Sequence, residues 1–238
     1  MKDFKDLSIS AFFPIYNDWG TVGSMVASAV STLKSICNRY EVILVDDGRY
    51  MTKRVLTDVV KHYENVRITE HGKNGGYGAA LQTGFKEAKY GLIFYTDGDA
   101  QYDPQELSLL LPLMTEDVDI VNGYKIKRSD PFYRVWIGRI YHWMAKLMFG
   151  FQIRDVDCDF RLIRKKVFDK VSLESDSGMI CVEMITKFYR AGFRFAEVGV
   201  HHYFRSSGKS QFFNFKRIFR VGVGLIRLWS RLRIRKEF

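Results

Sequence analysis

The first 122 residues alternate between short apolar runs and segments of helical periodicity, and this rhythm constrains the fold most strongly. Apolar runs of about four to eight residues, separated by amphipathic helices, are typical of βαβ units and a mostly parallel sheet. The sequence therefore predicts an α/β fold. The expected strands lie at 7–13, 41–45, 66–70, 91–96 and 118–122, and the expected helices at 21–37, 51–63, 77–89 and 104–114.

Beyond residue 130 the rhythm changes. Here we expect a helix at 132–149, an irregular stretch, helices near 165–170 and 178–191, and a strand around 194–201. No internal repeat or linker is apparent, which favours one main domain. We assign this domain to 1–212, with halves at about 1–122 and 123–212, followed by a basic amphipathic helix at 213–238.

The N-terminal residues contain no apolar run followed by a cleavage site, and no window is long and apolar enough to span a bilayer. Cys37, Cys158 and Cys181 have neither metal-ligand nor disulfide-framework spacing. These features predict a protein of the cytoplasm, where thiols stay reduced.

The net charge of +10 is unevenly distributed. Residues 1–124 carry a net charge of −5, whereas 125–154 carry +6 and 205–238 carry +9. Basic blocks interleaved with aromatic residues predict contact with an anionic surface or chain, such as phospholipid, a lipid phosphate or nucleic acid. A solvated basic face is the alternative.

Acidic residues follow three of the predicted strands, in the segments "FFPIYND", "LVDDG" and "FYTDGDAQ". Ligands of open α/β sheets bind beyond the carboxyl ends of the strands. We therefore expect five acids to gather along one edge of the sheet: Asp18, Asp46, Asp47, Asp97 and Asp99.

Asp97 and Asp99 stand two residues apart, around a glycine that leaves room for a ligand. Hard carboxylate oxygens suit Mg²⁺ or Mn²⁺, which complete their shell with water and substrate phosphates. This pair predicts a divalent metal carrying a diphosphate, although a surface turn can have the same sequence.

The segment "KNGGYGAALQTGF" (73–85) is a glycine-rich entry to a predicted helix. The first N–H groups of a helix can hold phosphate, which makes Asn74, Gly75 and Gly78 candidate donor contacts. The segment matches neither the P-loop nor the dinucleotide fingerprint. A tight loop that permits close helix packing is the alternative.

Six motifs occur in the order found in glycosyltransferase family 2: "PIYND", "VDDG", "NGGYGAALQTGF", "TDGDAQYDP", "RDVDCDFRL" and "RSSGKSQF". The chain most resembles the polyprenyl-phosphate glycosyltransferases of the dolichol-phosphate mannose synthase type, over residues 8–212. The resemblance implies the nucleotide-sugar-binding A-type fold of these enzymes. It also implies a metal-dependent, inverting transfer from a UDP- or GDP-linked sugar to polyprenyl or dolichyl phosphate.

The resemblance assigns roles to individual residues. It places Pro14, Tyr16, Asp18 and Asp46 or Asp47 around the base and ribose, and Asp97 and Asp99, with Gln101, at the metal and diphosphate. Arg205 and Ser210 match a loop that closes over the donor, and Lys209 lies beside them. Arg154, Cys158 and Lys125 match acceptor positions, to which we add the neighbouring Arg128.

A lipid phosphate is already an anion, so its attack on the sugar needs positioning more than a general base. A hydroxyl acceptor would need a base, for which Asp155 and Asp157 are candidates, and Asp155 could equally be a structural partner of Arg154. The sequence thus leaves open a transferase that acts on a soluble or cell-envelope hydroxyl. A nucleotidyltransferase would share the metal and the sheet. Nucleic-acid binding leaves the acidic cluster without a purpose.

Two basic amphipathic helices predict a peripheral location on the cytoplasmic face of an anionic membrane. In 132–149, basic positions oppose an apolar set: Arg134, Arg139, His142 and Lys146 against Trp136, Ile140, Trp143, Met144 and Leu147. In the tail, the basic stripe comprises Arg217, Arg220, Arg227, Arg231 and Arg235. Packing onto the body, a membrane-protein partner or a second copy is the alternative.

Overall fold

The computed structural model describes residues 4–48, 50–71, 74–127, 132–205 and 215–234. Within these residues, seven strands form a single sheet. They are β1 (Ser8–Ile15), β2 (Arg39–Asp46), β3 (Val66–Glu70), β4 (Leu92–Thr96), β5 (Ile120–Lys125), β6 (Phe160–Arg164) and β7 (Phe195–Val200). Their order is β3-β2-β1-β4-β6-β5-β7. The predicted α/β fold is confirmed, and the predicted boundary at 122/123 falls inside β5, so both halves share the sheet.

All strands run parallel except β6, which is antiparallel to both β4 and β5. The irregular stretch predicted after residue 149 is confirmed for 150–159, whereas the sequence did not predict β6 at Phe160–Arg164. The strand has five residues with Arg161 near its centre, and a charged residue ordinarily indicates a surface position. Because β6 runs backwards, it begins at the edge where the other strands end.

The helices are α1 (Val22–Ile36), α2 (Tyr50–Val60), α3 (Tyr77–Glu87), α4 (Leu107–Leu110), α5 (Phe132–Phe149), α6 (Ile180–Arg190) and α7 (Phe215–Trp229). The single helix expected at 104–114 is divided into α4 and two flanking 3₁₀ turns, Pro104–Glu106 and Leu111–Leu113. The second turn contains Pro112, which has no N–H to continue the α-helical ladder. Asp103 caps the first turn by accepting a hydrogen bond from the Gln105 N–H.

The helices cover both faces of the sheet. Along β1, Ile9, Ala11 and Phe13 pack with α1 and α4 on one face, whereas Phe12 points to the other face, which packs with α3 and α6. This alternation follows from the two-residue period of a strand. Each large apolar side chain buried in this way contributes about 1.5–3 kcal/mol relative to exposure.

A third apolar cluster joins α5, α6 and α7. In α7, Leu225, Leu228 and the following Leu232 are buried against the α6 side chains. The predicted C-terminal helix is present, but these apolar residues pack onto the body, as the alternative allowed. Of the basic stripe, Arg227 is exposed and Arg231 contacts Glu174, while the side chains of the other members lie outside the described residues.

Unlike the buried leucines of the C-terminal helix, most of the large apolar side chains described for α5 are exposed to solvent. The buried side of α5 contains Ala145 and Phe149, with the half-buried Tyr141 and Met148 beside them. The apolar set predicted from the sequence is instead exposed to solvent: Trp136 (61%), Ile140 (54%), Trp143 (64%), Met144 (43%) and Leu147 (71%). We call these five residues the α5 outer face.

Candidate active site

The reversal of strand order locates the candidate site. The chain proceeds from β1 to β2 and β3, and then returns to β4 on the other side of β1. Ligands bind beyond the carboxyl ends of strands at such a reversal. Asp18 follows β1 at this point, Asp97 and Asp99 follow β4, and Asp46 and Asp47 reach the same edge because β2 is parallel to β1. The predicted gathering of acids along one edge is confirmed.

The guanidinium group of Arg205 lies between two of these carboxylates. One terminal nitrogen forms an ion pair with Asp99, and the other lies 3.6 Å from a carboxylate oxygen of Asp18. Two hydrogen bonds fix the approach of this segment. The Tyr203 N–H donates to the Gln101 carbonyl (2.8 Å), and the Gln101 side-chain amide donates to the Tyr203 carbonyl (3.1 Å). The chain therefore supplies its own cation to the crevice.

Two strained backbone positions flank the acids of the crevice. Asn17, before Asp18, and Ala100, after Asp99, both have φ of 59°, in the left-handed region. A non-glycine residue there costs on the order of 1–3 kcal/mol, and such residues concentrate at functional sites. The Gln101 N–H also donates to Oδ1 of Asp99 (3.0 Å), which fixes the carboxylate. The turn is thus shaped to orient Asp99.

Gly98 permits close packing of the turn onto β1. A Cβ at this position would lie 2.3 Å from Cδ1 of Ile15 and 3.3 Å from the carbonyl oxygen of Pro14, which is buried. Thr21 Oγ1 donates to the Gly98 carbonyl (2.8 Å). From the sequence, the absence of a side chain at Gly98 was expected to leave room for a ligand. In the structure, β1 residues occupy the space that a Cβ at Gly98 would need. Tyr16 contributes its N–H to Oδ2 of Asp18 (3.2 Å).

The two carboxylates after β4 have different surroundings. Oδ1 of Asp97 accepts a hydrogen bond from the Tyr77 hydroxyl (2.9 Å). Burial raises the pKa of Asp97 well above its ordinary value, and the carboxylates of Asp159 and Asp99 raise it further. Burial also raises the pKa of Asp99, while Arg205 lowers it. A cation bound at this position would favour the ionised form of both groups.

Asp18 completes the acidic side of the crevice. Burial raises the pKa of Asp18 to about 6, against the hydrogen bond from the Tyr16 N–H, which lowers it. Mg²⁺ and Mn²⁺ prefer carboxylate oxygens, and one or two carboxylates together with substrate phosphates commonly hold them, so Asp97 and Asp99 have the chemistry to hold such an ion. Across the described ranges, no group of three or more His, Cys, Asp or Glu side chains is arranged to hold a metal.

The carboxylates of Asp46 and Asp47, at the end of β2, accept hydrogen bonds from backbone N–H groups. Oδ1 of Asp46 accepts from the Gly48 N–H (2.9 Å), and burial raises the pKa of Asp46. The carboxylate of Asp47 accepts from the N–H groups of Gly75 (2.6 Å) and Gly76 (3.0 Å). Asp47 therefore ties the entry of α3 to the sheet edge.

The glycine-rich entry of α3 is packed closely against the protein. The Gly78 N–H donates to the Asp176 carbonyl (2.8 Å), and a Cβ at Gly78 would lie 2.1 Å from the Ser175 carbonyl oxygen. The tight-packing alternative accounts for these glycines, since their N–H groups have protein acceptors. Contact of a donor phosphate with Asn74, Gly75 or Gly78 stays a prediction.

His71 was not among the residues predicted from the sequence. It directly follows β3, at the edge of the sheet where the carboxylates gather. Its Nδ1 lies 3.0 Å from Oδ1 of Asp47, and its Nε2 lies 2.8 Å from Oγ1 of Thr83 on α3. The ring thus links the ends of β2 and β3 to α3. A histidine immediately after a predicted strand was the available signal.

The positive side of the site begins at Lys125, the last residue of β5. Its ammonium group donates to the Asp157 carbonyl (2.6 Å) and lies 3.4 Å from Oδ2 of Asp155. Oδ1 of Asp155 accepts from the Asp157 N–H (3.1 Å). Asp155 therefore pairs with Lys125 and orders the loop that precedes β6.

Arg154 presents its side chain at the surface. Its N–H donates to Oε1 of Glu197 (2.7 Å), which anchors the backbone to β7. The guanidinium carbon lies 4.8 Å from the ring centroid of Tyr124, within cation–π range. This stacking orients an exposed cation near the end of β5.

Cys158 is fully buried, and burial raises its pKa to about 12. Its Sγ lies 3.1 Å from the position of a Cβ at Gly123, so only glycine fits opposite it without rearrangement. A neutral thiol enclosed in this way does not reach an acceptor phosphate. The structure assigns it to packing beneath the loop, contrary to the acceptor role predicted for it.

Arg161 is a second residue that the sequence argument missed. Its side chain is fully buried in the middle of the sheet. It donates to Oδ1 of Asn122 (2.5 Å) and to the Val156 carbonyl (2.6 Å), and it contacts the Tyr95 hydroxyl. Oδ1 of Asp159 lies 3.5 Å away. Arg161 thus connects β4, β5 and the loop that carries Arg154.

Three predicted site residues, Arg128, Lys209 and Ser210, lie outside the described residues.

Known proteins resemble this chain in sequence. The chain is 28% identical over 231 residues to a dodecaprenyl-phosphate galacturonate synthase of Rhizobium johnstonii, covering 93% of this chain and 66% of that protein. It is 25% identical to an undecaprenyl-phosphate 4-deoxy-4-formamido-L-arabinose transferase of Pseudomonas fluorescens, covering 89% of this chain and 62% of that protein. The chain thus spans less than two thirds of the length of these relatives.

Among solved structures, glucosyl-3-phosphoglycerate synthase of Mycobacterium tuberculosis, in complex with Mn²⁺ and UDP-glucose, superposes with a TM-score of 0.70. The two are 14% identical, and the match covers 94% of this chain and 78% of that one. The likeness confirms the expected glycosyltransferase A-type fold. The family model described as "Glycosyl transferase family 2" matches residues 10–172, and the chain therefore belongs to this family.

Proposed function

We propose that the protein is a metal-dependent, inverting glycosyltransferase that moves a sugar from UDP or GDP to a polyprenyl phosphate. The observation that carries the proposal is the meeting of Asp18, Asp99 and Arg205 in the crevice at the strand reversal. Membership of the family supports the reaction class, and relatives named for polyprenyl-phosphate substrates support the acceptor.

The donor half would stabilise a diphosphate leaving group. This group gains negative charge as the glycosidic bond breaks, and a preorganised cation such as Arg205 lowers the energy of that state. Mg²⁺ or Mn²⁺ held by Asp97 and Asp99 would supply further positive charge to the same oxygens. The Mn²⁺ and UDP-glucose in the structural relative support this arrangement. Asp46 and Asp47 would then lie towards the base and ribose.

The reaction balances without a general base. A phosphate oxygen of the acceptor forms a bond to the anomeric carbon from the face opposite the diphosphate. The bond between that carbon and the diphosphate oxygen breaks, and the nucleoside diphosphate leaves with the electron pair. Since the attacking oxygen is already anionic, the protein's contribution is to hold the two substrates in line.

The exposed guanidinium of Arg154 supports a phosphate acceptor, because arginine forms bidentate contacts with phosphate. Lys125 would add positive charge at the same end of β5. The transfer to a hydroxyl has less support, since its candidate base Asp155 is held by Lys125 and by the Asp157 N–H. A nucleic-acid backbone would be repelled by the acids along the crevice.

A ligand panel tests the donor class. Thermal unfolding is followed with UDP, GDP, CDP and ADP, each with and without Mn²⁺. We expect at least one nucleotide to raise the melting temperature, and only when Mn²⁺ is present. With the matching sugar nucleotide and undecaprenyl phosphate, the nucleoside diphosphate should be released. No shift with any nucleotide, or release of inorganic diphosphate from a nucleoside triphosphate, would overturn the proposal.

The α5 outer face supports the proposal that the protein binds peripherally to an anionic membrane. None of the helices in the described ranges is long and apolar enough to cross a bilayer. Instead, the two tryptophans of the α5 outer face lie beside exposed basic residues, and the guanidinium carbon of Arg139 lies 5.9 Å from the ring centroid of Trp136. Tryptophan and basic residues favour the interface of an anionic membrane. Because α5 leads into the loop of Arg154, this docking would hold the acceptor contacts near the lipid headgroups.

We expect the double substitution Trp143→Ser with Leu147→Ser to lower binding to phosphatidylglycerol-containing vesicles at least tenfold. Each side chain would otherwise contribute about 1.5–3 kcal/mol by leaving water. Co-sedimentation measures the effect, and the melting temperature should not change because both residues are exposed. Leu109→Ser, at an exposed site on α4, is the matched control. Equal sedimentation of all three proteins would contradict a membrane role for α5.

A further inference from the structure

We propose that Arg205 is a resident counter-ion that pairs with Asp18 and with Asp99, one of the two acids assigned to the divalent metal, until the donor arrives. The donor diphosphate then draws the guanidinium away from these carboxylates, so that metal and nucleotide bind cooperatively. This inference rests on the proposed function and names how the same site is controlled.

The geometry of the contact carries the first step. Arg205 engages Asp99 and Asp18 through different terminal nitrogens, and the second distance is 3.6 Å. Its guanidinium therefore bridges two acids that follow different strands. Since Asp99 is one of the two carboxylates that would hold the metal, Arg205 and the metal would compete for it. The fork of arginine suits such two-point contact better than the single ammonium of lysine.

Electrostatics carries the second step. Asp99 is 4% exposed, so the charges are poorly screened and two cations beside its carboxylate would repel each other strongly. A metal that arrives alone must displace Arg205 without offering it another anion. A metal that arrives with a diphosphate brings phosphate oxygens, to which arginine binds in a bidentate, charge-assisted manner. The donor thus relieves the competition that the metal alone must overcome.

The backbone carries the third step. Hydrogen bonds between Tyr203 and Gln101 hold the segment two residues before Arg205 against the turn of Asp99. The side chain of Arg205 is 28% exposed, so it has room on one side. In the proposed exchange, rotation of this one side chain would replace carboxylate partners by phosphate partners at the same edge of the sheet.

Manganese titration tests the inference directly. The free Mn²⁺ signal in electron paramagnetic resonance gives the Kd of the full chain, first for Mn²⁺ alone and then with saturating UDP or GDP. We expect Arg205→Gln to bind Mn²⁺ alone at least tenfold more tightly than the unchanged protein. We also expect the nucleotide to strengthen Mn²⁺ binding less in this variant, because the relief of competition is lost. Linkage requires the same factor when the nucleotide is titrated.

Three further variants make the result specific. Arg205→Lys keeps the charge but loses the two-point contact, so its Kd for Mn²⁺ alone should lie between those of the unchanged protein and Arg205→Gln. Arg194→Gln removes an exposed arginine remote from the crevice and should have no effect. Asp99→Asn, added to Arg205→Gln in a double variant, should abolish the tight Mn²⁺ binding. This result would show that the measured ion binds at Asp99. Thermal unfolding confirms that each variant is folded.

The outcomes separate this inference from the proposed function. If Arg205→Gln binds Mn²⁺ alone no more tightly than the unchanged protein, the counter-ion role is refuted, even where the nucleotide binds normally. If no nucleotide binds under any condition, the proposed function fails, and cooperative binding fails with it. Tighter Mn²⁺ binding with unchanged nucleotide cooperativity would also refute the coupling.

Discussion

Asp99→Ala is expected to abolish sugar transfer, with a loss of at least about 10²–10³-fold in kcat, as is typical when a group that organises transition-state charge is removed. The variant loses the carboxylate that pairs with Arg205 and that we assign to the metal. It should also lose the Mn²⁺-dependent rise in melting temperature with nucleotide. The fold should survive, because burial, and to a lesser extent the carboxylate of Asp159, raise the pKa of Asp99 and so disfavour its ionised form.

The measurement is nucleoside diphosphate release in the presence of undecaprenyl phosphate and the sugar nucleotide found by the ligand panel. Asp103→Asn is the matched control, since this acid lies in the same turn region but caps a 3₁₀ turn, and asparagine caps equally well. It should retain activity within about twofold. Full activity of Asp99→Ala would remove the metal site from the proposal.

Arg161→Met is expected to lower the free energy of unfolding by about 3–5 kcal/mol, the cost of breaking a buried charged network by removing one partner. The substitution leaves Oδ1 of Asn122, the Val156 carbonyl and the carboxylate of Asp159 without their buried donor. Unpaired polar groups in the interior carry a desolvation penalty. The loop that carries Arg154 should loosen as well, so the apparent KM for the lipid phosphate should rise.

Urea unfolding at neutral pH measures the change, and Arg194→Met is the control. Arg194 is exposed and pairs with an exposed Asp117, so its loss should change the free energy of unfolding by less than about 0.5 kcal/mol. Equal stability of the two variants would show that Arg161 does not hold β6 and its loop in place.

The sequence predicted the donor half of the sheet well because parallel strands buried on both faces appear as separate apolar runs. β1 to β5 lie close to their expected bounds, and the acids that follow them share one edge. β6 was hidden because it is short and has a buried charge at Arg161. A charged residue becomes recognisable as internal only when its partners, which lie far away along the chain, are known.

Amphipathic helices marked the limit of the sequence argument. α5 and α7 have similar alternation of basic and apolar residues, yet Leu225 and Leu228 of α7 pack in a cluster with α6, whereas the α5 outer face is exposed. Helical periodicity reports which residues share a face, but it does not report what covers that face. The role of the glycine-rich entry to α3 was ambiguous in a similar way. A backbone N–H without an intrahelical acceptor can donate either to a ligand phosphate or to a carbonyl of the protein, and the sequence does not tell which.

The reversed direction of β6 has a consequence for how such enzymes diversify. The carboxylates assigned to the donor follow β1, β2 and β4, whereas Arg154 and Asp155 lie on the loop that enters β6 from the same edge. Insertions or exchanges in that loop would alter the acceptor without shifting any strand that carries the nucleotide. Under the proposed roles, exchange of this one loop would let evolution combine the same activated sugar with different recipients.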